Sequence, residues 1–207
     1  GCYTLGALPP LNAMDSCICM GASIGQAMGI DKALGAAGQG KAVAVIGDST
    51  FLHSGMTGLL DIAYNRGTCT VIILDNRTTA MTGRQEHPGT GRTVQGEKTK
   101  KVDLASLCGA LGIDHVRKVN PYDLDGLATA LQEETARPEP SVIIAEAPCV
   151  LLRKGGPPPE SLFMVHEETC VGCKGCLQLG CPAIEWKPGE NKSGKSHINE
   201  SLCVGCA

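Results

Sequence analysis

Hydrophobic and polar positions alternate in blocks along this chain, and the blocks carry two different periods. Residues 41–47, KAVAVIG, form a short β-branched run that predicts a buried strand ending at Gly47. From His53 to Arg66 the apolar positions Met56, Leu59, Leu60, Ile62 and Ala63 recur at helical spacing, and Gly67 follows as a stop. TVIILD, residues 70–75, is a second apolar run of strand length. Strand, helix and strand in this order make a βαβ unit, whose crossover is right-handed and whose strands are parallel.

The same reading extends in both directions. Ser23–Leu34 predicts a helix with Gly21, Gly25 and Gly29 on one face, where a neighbouring element can approach. Downstream the pattern predicts a helix over 102–111, a strand over 115–119, a helix over 121–136 capped by Asn120, and a last strand over 142–147. Alternating strands and helices imply an α/β fold with a doubly wound, mostly parallel sheet. Between Asn76 and Lys101 lies a long polar stretch rich in Gly and Thr with no periodicity, and loops of that length in compact domains are usually functional. Gly155-Gly156-Pro157-Pro158-Pro159 marks a linker. The expected organisation is therefore a domain over 1–150, a linker over 151–163 and a small cysteine-rich α+β module over 164–207, built of short hairpin-like strands and turns with too little core to fold without metal.

Composition narrows the picture. The 207 residues are 43% hydrophobic but only 3% aromatic, so Ala, Val, Ile and Leu build the core, and 27 glycines permit close backbone approach. A net charge of −3 with no basic run lacks the footprint of a nucleic-acid binder. No apolar stretch reaches the roughly 20 residues that cross a bilayer, and the first residues lack a signal-like core, so the expectation is a cytoplasmic protein away from membranes. Twelve cysteines clustered in metal-type loops point to a reducing compartment that keeps thiolates free.

Ligands in a parallel sheet sit at the carboxyl ends of the strands, which here read Gly47-Asp48-Ser49 and Asp75-Asn76. On neighbouring strands, Asp48 and Asn76 can face one small ion. Magnesium suits these oxygens, since it takes about six in an octahedral array and keeps phosphate oxygens among them. Gly47 lets a phosphate approach, and the amides after Ser49 face forward from the next helix. The plainer reading makes Asp48 a helix cap and Asn76 the start of a turn.

Cys170, Cys173, Cys176 and Cys181, the last followed by Pro182, reproduce the run that holds an iron–sulfur cluster, and Cys203 and Cys206 open a second run. A zinc knuckle has no need of Cys176 in the same loop. In two-cluster ferredoxins the cysteine before proline serves the other cluster, which groups Cys170, Cys173 and Cys176 on one [4Fe-4S] cube and Cys181, Cys203 and Cys206 on the second. Each set then lacks one thiolate, so the chain is expected to be a fragment that is inactive alone. The gap between Cys176 and Cys181 is four residues where the bacterial pattern has three.

GDS, then 26 residues, then Asn76 resembles the thiamine diphosphate motif, which usually reads GDG and ends in one or two asparagines. Ser49 in place of glycine is a mild departure. By that resemblance Asp48, the Asn76 side chain and the Thr78 carbonyl hold Mg²⁺ on the cofactor's diphosphate. The strings GCYTLGALPPLNAMDSCICMGAS, GDSTFLHSGMTGLLDIAYN and ILDNRTTAMTGRQEHPGTG resemble the C-terminal half of the α subunits of indolepyruvate:ferredoxin oxidoreductases, over nearly the whole chain. The resemblance implies oxidative decarboxylation of an aryl pyruvate to an acyl-CoA. Its electrons leave singly through [4Fe-4S] clusters to an external ferredoxin, and a second, β subunit is expected. Pyruvate or another 2-oxo acid is the alternative substrate, and an electron carrier without thiamine chemistry the alternative function.

The remaining candidates read more plainly. Cys17, Cys19, Cys69 and Cys108 are expected to be small buried hydrophobes. Cys2 and Cys149 resemble later cluster ligands of the 2-oxoacid:ferredoxin group, against an ordinary thiol reading. His53 and His87 border the proposed diphosphate site and are expected to be hydrogen-bonded supports, with orienting the cofactor or shuttling a proton as the other possibility. Arg84 and Arg92 are expected to be solvated loop charges, with a carboxylate or CoA phosphate as the other possibility.

Overall fold

The computed structural model describes residues 2–152, 162–189 and 193–205, which fall into two units. One comprises Cys17–Leu152 with Cys2, and the other comprises Tyr3–Ser16 with the described residues after 152. The expected linker over 155–159 and Cys206 lie outside the described residues.

In the larger unit, α1 (Ala22–Leu34) precedes β1 (Val43–Gly47), and a continuous helical run follows: α2 (Asp48–Thr50), a wider π turn (Phe51–Gly55) and α3 (Met56–Tyr64). Then come β2 (Thr70–Asp75), α4 (Leu104–Ala110), β3 (His115–Val119), α5 (Leu124–Thr135) and β4 (Ser141–Glu146). The sheet order is β1-β2-β4-β3 with every pair parallel, as the β-branched runs and intervening helices demand. Ala44, Ile46, Val71, Ile73, Val142 and Ile144 point to one face and pack with Ile24, Met28, Leu59, Ile62, Leu104 and Cys108 of α1, α3 and α4. Ile143 and Ala145 lie outside that cluster, in the strand against which α5 packs, and Ala130 of α5 is buried there. Helices on both faces make the sheet doubly wound.

Several boundaries differ from the sequence reading. The helix expected from His53 begins at Asp48 directly after β1, because the polar first turn carries no apolar period. The cap of α5 is Asp123, whose side chain accepts from the Gly126 amide, whereas Asn120 closes a separate turn by accepting from Tyr122 N. A Cβ at Gly25 or Gly29 would meet nothing within 4 Å, so the expected close approach is confined to Gly21, where a Cβ would fall 2.1 Å from Ser54 Oγ. Cys69 and Cys108 are buried as expected, and burial pushes their thiols up to about 11 and about 12. Cys17 and Cys19 are not: both are exposed, in an extended segment outside any strand.

In the smaller unit, β5 (Ile184–Pro188) and β6 (Gly194–Ile198) form an antiparallel hairpin. Ala183 and Ser196 are its buried residues among those described, so the apolar core is slight. Lys174 sits 4.5 Å over the ring of Trp186. The grouping of Tyr3–Ser16 here has a local reason, since a Cβ at Gly180 would lie 3.2 Å from Leu11 Cγ.

Candidate functional site

Parallel pairing sets Gly47 of β1 opposite Leu74 of β2. Asp48 and Asp75 therefore leave the sheet side by side, and both are buried. The Asp48 carboxylate accepts from Ser49 N at 2.7 Å through Oδ1 and from Arg77 N at 2.9 Å through Oδ2. The same Arg77 N–H also reaches Asp75 Oδ1 at 3.0 Å. One backbone amide in the turn after β2 thus bridges the carboxylates at the ends of two strands. Arg77 holds the left-handed conformation, φ 61°, that aims its amide this way.

Two buried carboxylates this close do not both ionise freely. Burial, followed by hydrogen bonding to Asp48, pushes the Asp75 carboxyl up to about 6. Burial acts on Asp48 in the same direction, yet the approach of His87, the Ser49 amide and Asp75 outweighs it, and Asp48 lies below the usual carboxylate range. Of the two, Asp48 ionises first and Asp75 keeps its proton to higher pH, so Asp48 carries the first negative charge at the carboxyl end of the sheet.

The other motif residues gather around that charge. Asn76 folds its Oδ1 back on Thr78 N at 3.2 Å, and its carbonyl accepts from Cys149 N at 2.9 Å. Thr78 is buried, and Thr79 Oγ1 donates to Ser49 Oγ at 2.8 Å. His87 comes from the long loop and is also buried, with Nε2 3.3 Å from Asp48 Oδ2. That Nε2 has no aligned hydrogen-bond partner, whereas Nδ1 accepts from Gly89 N at 3.2 Å. His53, by contrast, is exposed in the π turn, and Arg92 is spent on the Gly96 carbonyl at 2.9 Å. Gly47, Asp48, Ser49, Asn76 and Thr78 thus fall on two adjoining turns.

A buried carboxylate and an amide oxygen at strand ends, with a buried nitrogen without a partner brought up by the long loop, match what a hard cation carrying an anionic ligand requires. Sequence reasoning missed the coupling of Asp48 to Asp75, the bridging Arg77 amide and the Thr79 hydroxyl. A carboxylate ending an otherwise apolar central strand was the available signal for Asp75.

The cysteine loop presents sulfur donors of the right type. Cys176 Sγ lies 2.9 Å from the buried Ser196 Oγ, and the backbone amides of Ser196 and then Gly172 hold the Cys170 thiol below its usual range. These two sulfurs therefore both address Ser196. Among the described residues, no three His, Cys, Asp or Glu side chains stand close enough to hold one ion.

Comparison with known proteins bears on the same segments. Residues 1–145 match the family described as thiamine pyrophosphate enzyme, C-terminal TPP binding domain. The whole chain is 40% identical over 222 residues to indolepyruvate oxidoreductase subunit IorA of Pyrococcus abyssi, covering 34% of that protein. It is 39% identical over 210 residues to the Archaeoglobus fulgidus protein of the same name, covering 32% of it. The chain spans about a third of the length of the curated relatives it matches. Among solved structures, 2-oxoglutarate:ferredoxin oxidoreductase from Magnetococcus marinus shares the fold, with a TM-score of 0.54 at 15% identity over 63% of this chain and 46% of that chain.

Proposed function

The chain belongs to the thiamine pyrophosphate enzyme family through its C-terminal cofactor-binding domain, and on that premise we propose that it is the diphosphate-binding part of a 2-oxoacid:ferredoxin oxidoreductase. The observation that carries the reading is the buried carboxylate of Asp48, fixed by the Arg77 amide at the junction of β1 and β2. Asp48, Asn76 and Thr78 would hold Mg²⁺, and Gly47 and Ser49 would border the diphosphate. Thiamine diphosphate, when bound, supplies the carbon nucleophile that adds to a 2-oxo group and takes up the electron pair released with CO₂. The protein residues at this junction bind and orient, and the burial of Asp48, Asp75 and His87 keeps water from the carboxylate.

The finer assignment is indolepyruvate or another aryl pyruvate as substrate, coenzyme A as acyl acceptor and an external ferredoxin as electron acceptor, in the cytoplasm, with a second subunit. Relatives at 34–40% identity named indolepyruvate oxidoreductase subunit IorA support it. So do the cysteine spacings, with Cys170, Cys173, Cys176, Cys181, Cys203 and Cys206 as ligands of two [4Fe-4S] clusters completed elsewhere in the full-length protein.

The test uses the full-length protein with its partner subunit. Indolepyruvate, pyruvate and 2-oxoglutarate are compared as electron donors to a viologen, with and without coenzyme A. Indolepyruvate is expected to give the highest kcat/KM, and a higher value with pyruvate would remove the aryl assignment. Asp48→Asn removes the charge and one of the two oxygens that accept from Ser49 N and Arg77 N, and is expected to weaken Mg²⁺-dependent thiamine diphosphate binding by at least about 100-fold. Unchanged binding would overturn the cofactor site.

A further inference from the structure

His87 is the one buried side chain among those described whose polar atom has no partner. Its ring is oriented from the far side: Nδ1 accepts the Gly89 N–H at 3.2 Å. A neutral imidazole that accepts at Nδ1 carries its proton on Nε2. That proton lies on the Asp48 side, with Nε2 3.3 Å from Oδ2 but out of line for a hydrogen bond. Oδ2 is meanwhile held by the Arg77 amide at 2.9 Å.

The local chain is built to keep this ring in place. A Cβ at residue 89 would fall 3.0 Å from His87 Cε1 and 3.2 Å from Nδ1, so any side chain there would press the ring out of place by a few tenths of an ångström. The same Cβ would come within 3.4 Å of Leu52 Cδ1, which leaves an added methyl little room to turn away from the ring. A buried donor without an acceptor is costly, and such a cost persists where another state of the site satisfies it. Metal-binding carboxylates are oriented by exactly such outer donors, and removing one weakens metal affinity by about 10- to 100-fold.

We propose that His87 is a positioning residue, whose Nε2–H orients the Asp48 carboxylate toward a divalent cation while Gly89 fixes the ring that carries it. The role is that of a directional N–H donor and involves no proton transfer. It rests on the thiamine diphosphate reading above and adds to it a residue outside the metal-binding set.

The experiment measures binding, not turnover, on full-length protein. Mg²⁺ is titrated at saturating thiamine diphosphate, and thiamine diphosphate is titrated at saturating Mg²⁺, by calorimetry. His87→Met, which fills the space without a donor, is expected to weaken the Mg²⁺ titration about 10-fold or more and to leave the cofactor titration at saturating Mg²⁺ within about 3-fold. His87→Gln, which returns an N–H at the ε position, is expected to recover most of the Mg²⁺ affinity. A defect that persists at saturating Mg²⁺ would place Nε2 on the diphosphate itself and overturn the proposal, as would His87→Met with unchanged Mg²⁺ affinity. Gly89→Ala presses on the ring without removing it, and is expected to give the same Mg²⁺-specific weakening to a smaller degree. It keeps the proposal falsifiable where His87→Met does not fold, and unchanged Mg²⁺ affinity in Gly89→Ala would then count against it. If the unaltered protein binds no thiamine diphosphate with Mg²⁺, the parent reading falls and this inference with it. If it binds and His87→Met binds equally well, the parent reading stands and only the role of His87 is lost.

Discussion

Thr79 donates its hydroxyl to that of Ser49 across 2.8 Å, tying the turn after β2 to the turn after β1. Ser49 occupies the position where the thiamine diphosphate motif usually carries glycine, and the bond gives the departure a use: the two halves of the motif are joined by side chains as well as by the Arg77 amide. The pair is half-buried, so its net contribution is about 1 kcal/mol. Ser49→Gly and Thr79→Val are each expected to lower unfolding free energy by about that amount, and the double variant by less than their sum. A urea-denaturation double-mutant cycle checks this, and strictly additive losses would mean that the hydroxyls do not couple. Thiamine diphosphate affinity of Ser49→Gly is expected to stay within a few-fold, because the motif tolerates glycine there.

Asp103 carries a second, independent charge arrangement. Its Oδ1 caps α4 by accepting from Ser106 N at 2.8 Å, and its Oδ2 meets Lys118 Nζ of β3 at 2.9 Å. Lys118, then the Ser106 amide, hold the carboxyl below the usual range. A carboxyl depressed in the folded state stabilises above its unfolded value of about 3.9, and that stabilisation is lost as pH falls toward the folded value. Both partners are about half exposed, 52% for Asp103 and 48% for Lys118, so solvent screens the pair and the ion-pair share stays within about 1 kcal/mol. Asp103→Asn keeps a capping side chain and removes the charge. Its stability is expected to fall less steeply than that of the unaltered protein below about pH 4. Asp103→Ala, without a cap, is expected to lose about 1 kcal/mol at neutral pH as well. Parallel acid limbs for Asp103→Asn and the unaltered protein would remove the electrostatic part.

How much of this was legible depends on whether a feature is local. β2 could be read because a run such as TVIILD buries on both faces and has no competing helical period, whereas β1, expected to be buried, is the edge strand and leaves Val43 and Val45 exposed on one face. The start of the helix after β1 could not, because the π turn at Phe51–Gly55 inserts an extra residue per turn and breaks the 3.6 period just where the polar first turn ends. A Cβ at Gly55 would lie 2.8 Å from Ile46 Cδ1, so the wide turn sits hard against β1. Asn120 and Asp123 are both capping residues, and only the backbone decides which of them begins α5. The coupling between the Asp48 and Asp75 carboxyls depends on the register of β1 against β2, which is a tertiary property. Residues 48, 49 and 76 could be expected near one another from the strand-end rule, and residue 78 from the motif resemblance, and the fold brings them together where β1 and β2 end. His87 was placed near the site by its loop, but its aim at Asp48 came only with the folded loop.

The backbone of the cysteine loop makes Gly172 hard to replace. Gly172, between Cys170 and Cys173, has φ 70°, and a Cβ there would fall 2.6 Å from the carbonyl oxygen of Gly194 at the start of β6. A carbonyl in a strand cannot swing aside cheaply, and the positive φ is itself unfavourable for any residue with a Cβ, so Gly172→Ala costs roughly 1–3 kcal/mol. The smaller unit has little apolar core to absorb that cost, with Ala183 and Ser196 as its buried residues among those described. Gly172 also supplies an amide that lowers the Cys170 thiol, so moving it weakens the thiolate character that iron binding requires. Gly172→Ala in the full-length protein is therefore expected to lose iron and acid-labile sulfide while retaining thiamine diphosphate binding. Wild-type iron content in this variant would show that the loop after Cys170 tolerates displacement and that its sulfurs are not held through Gly172.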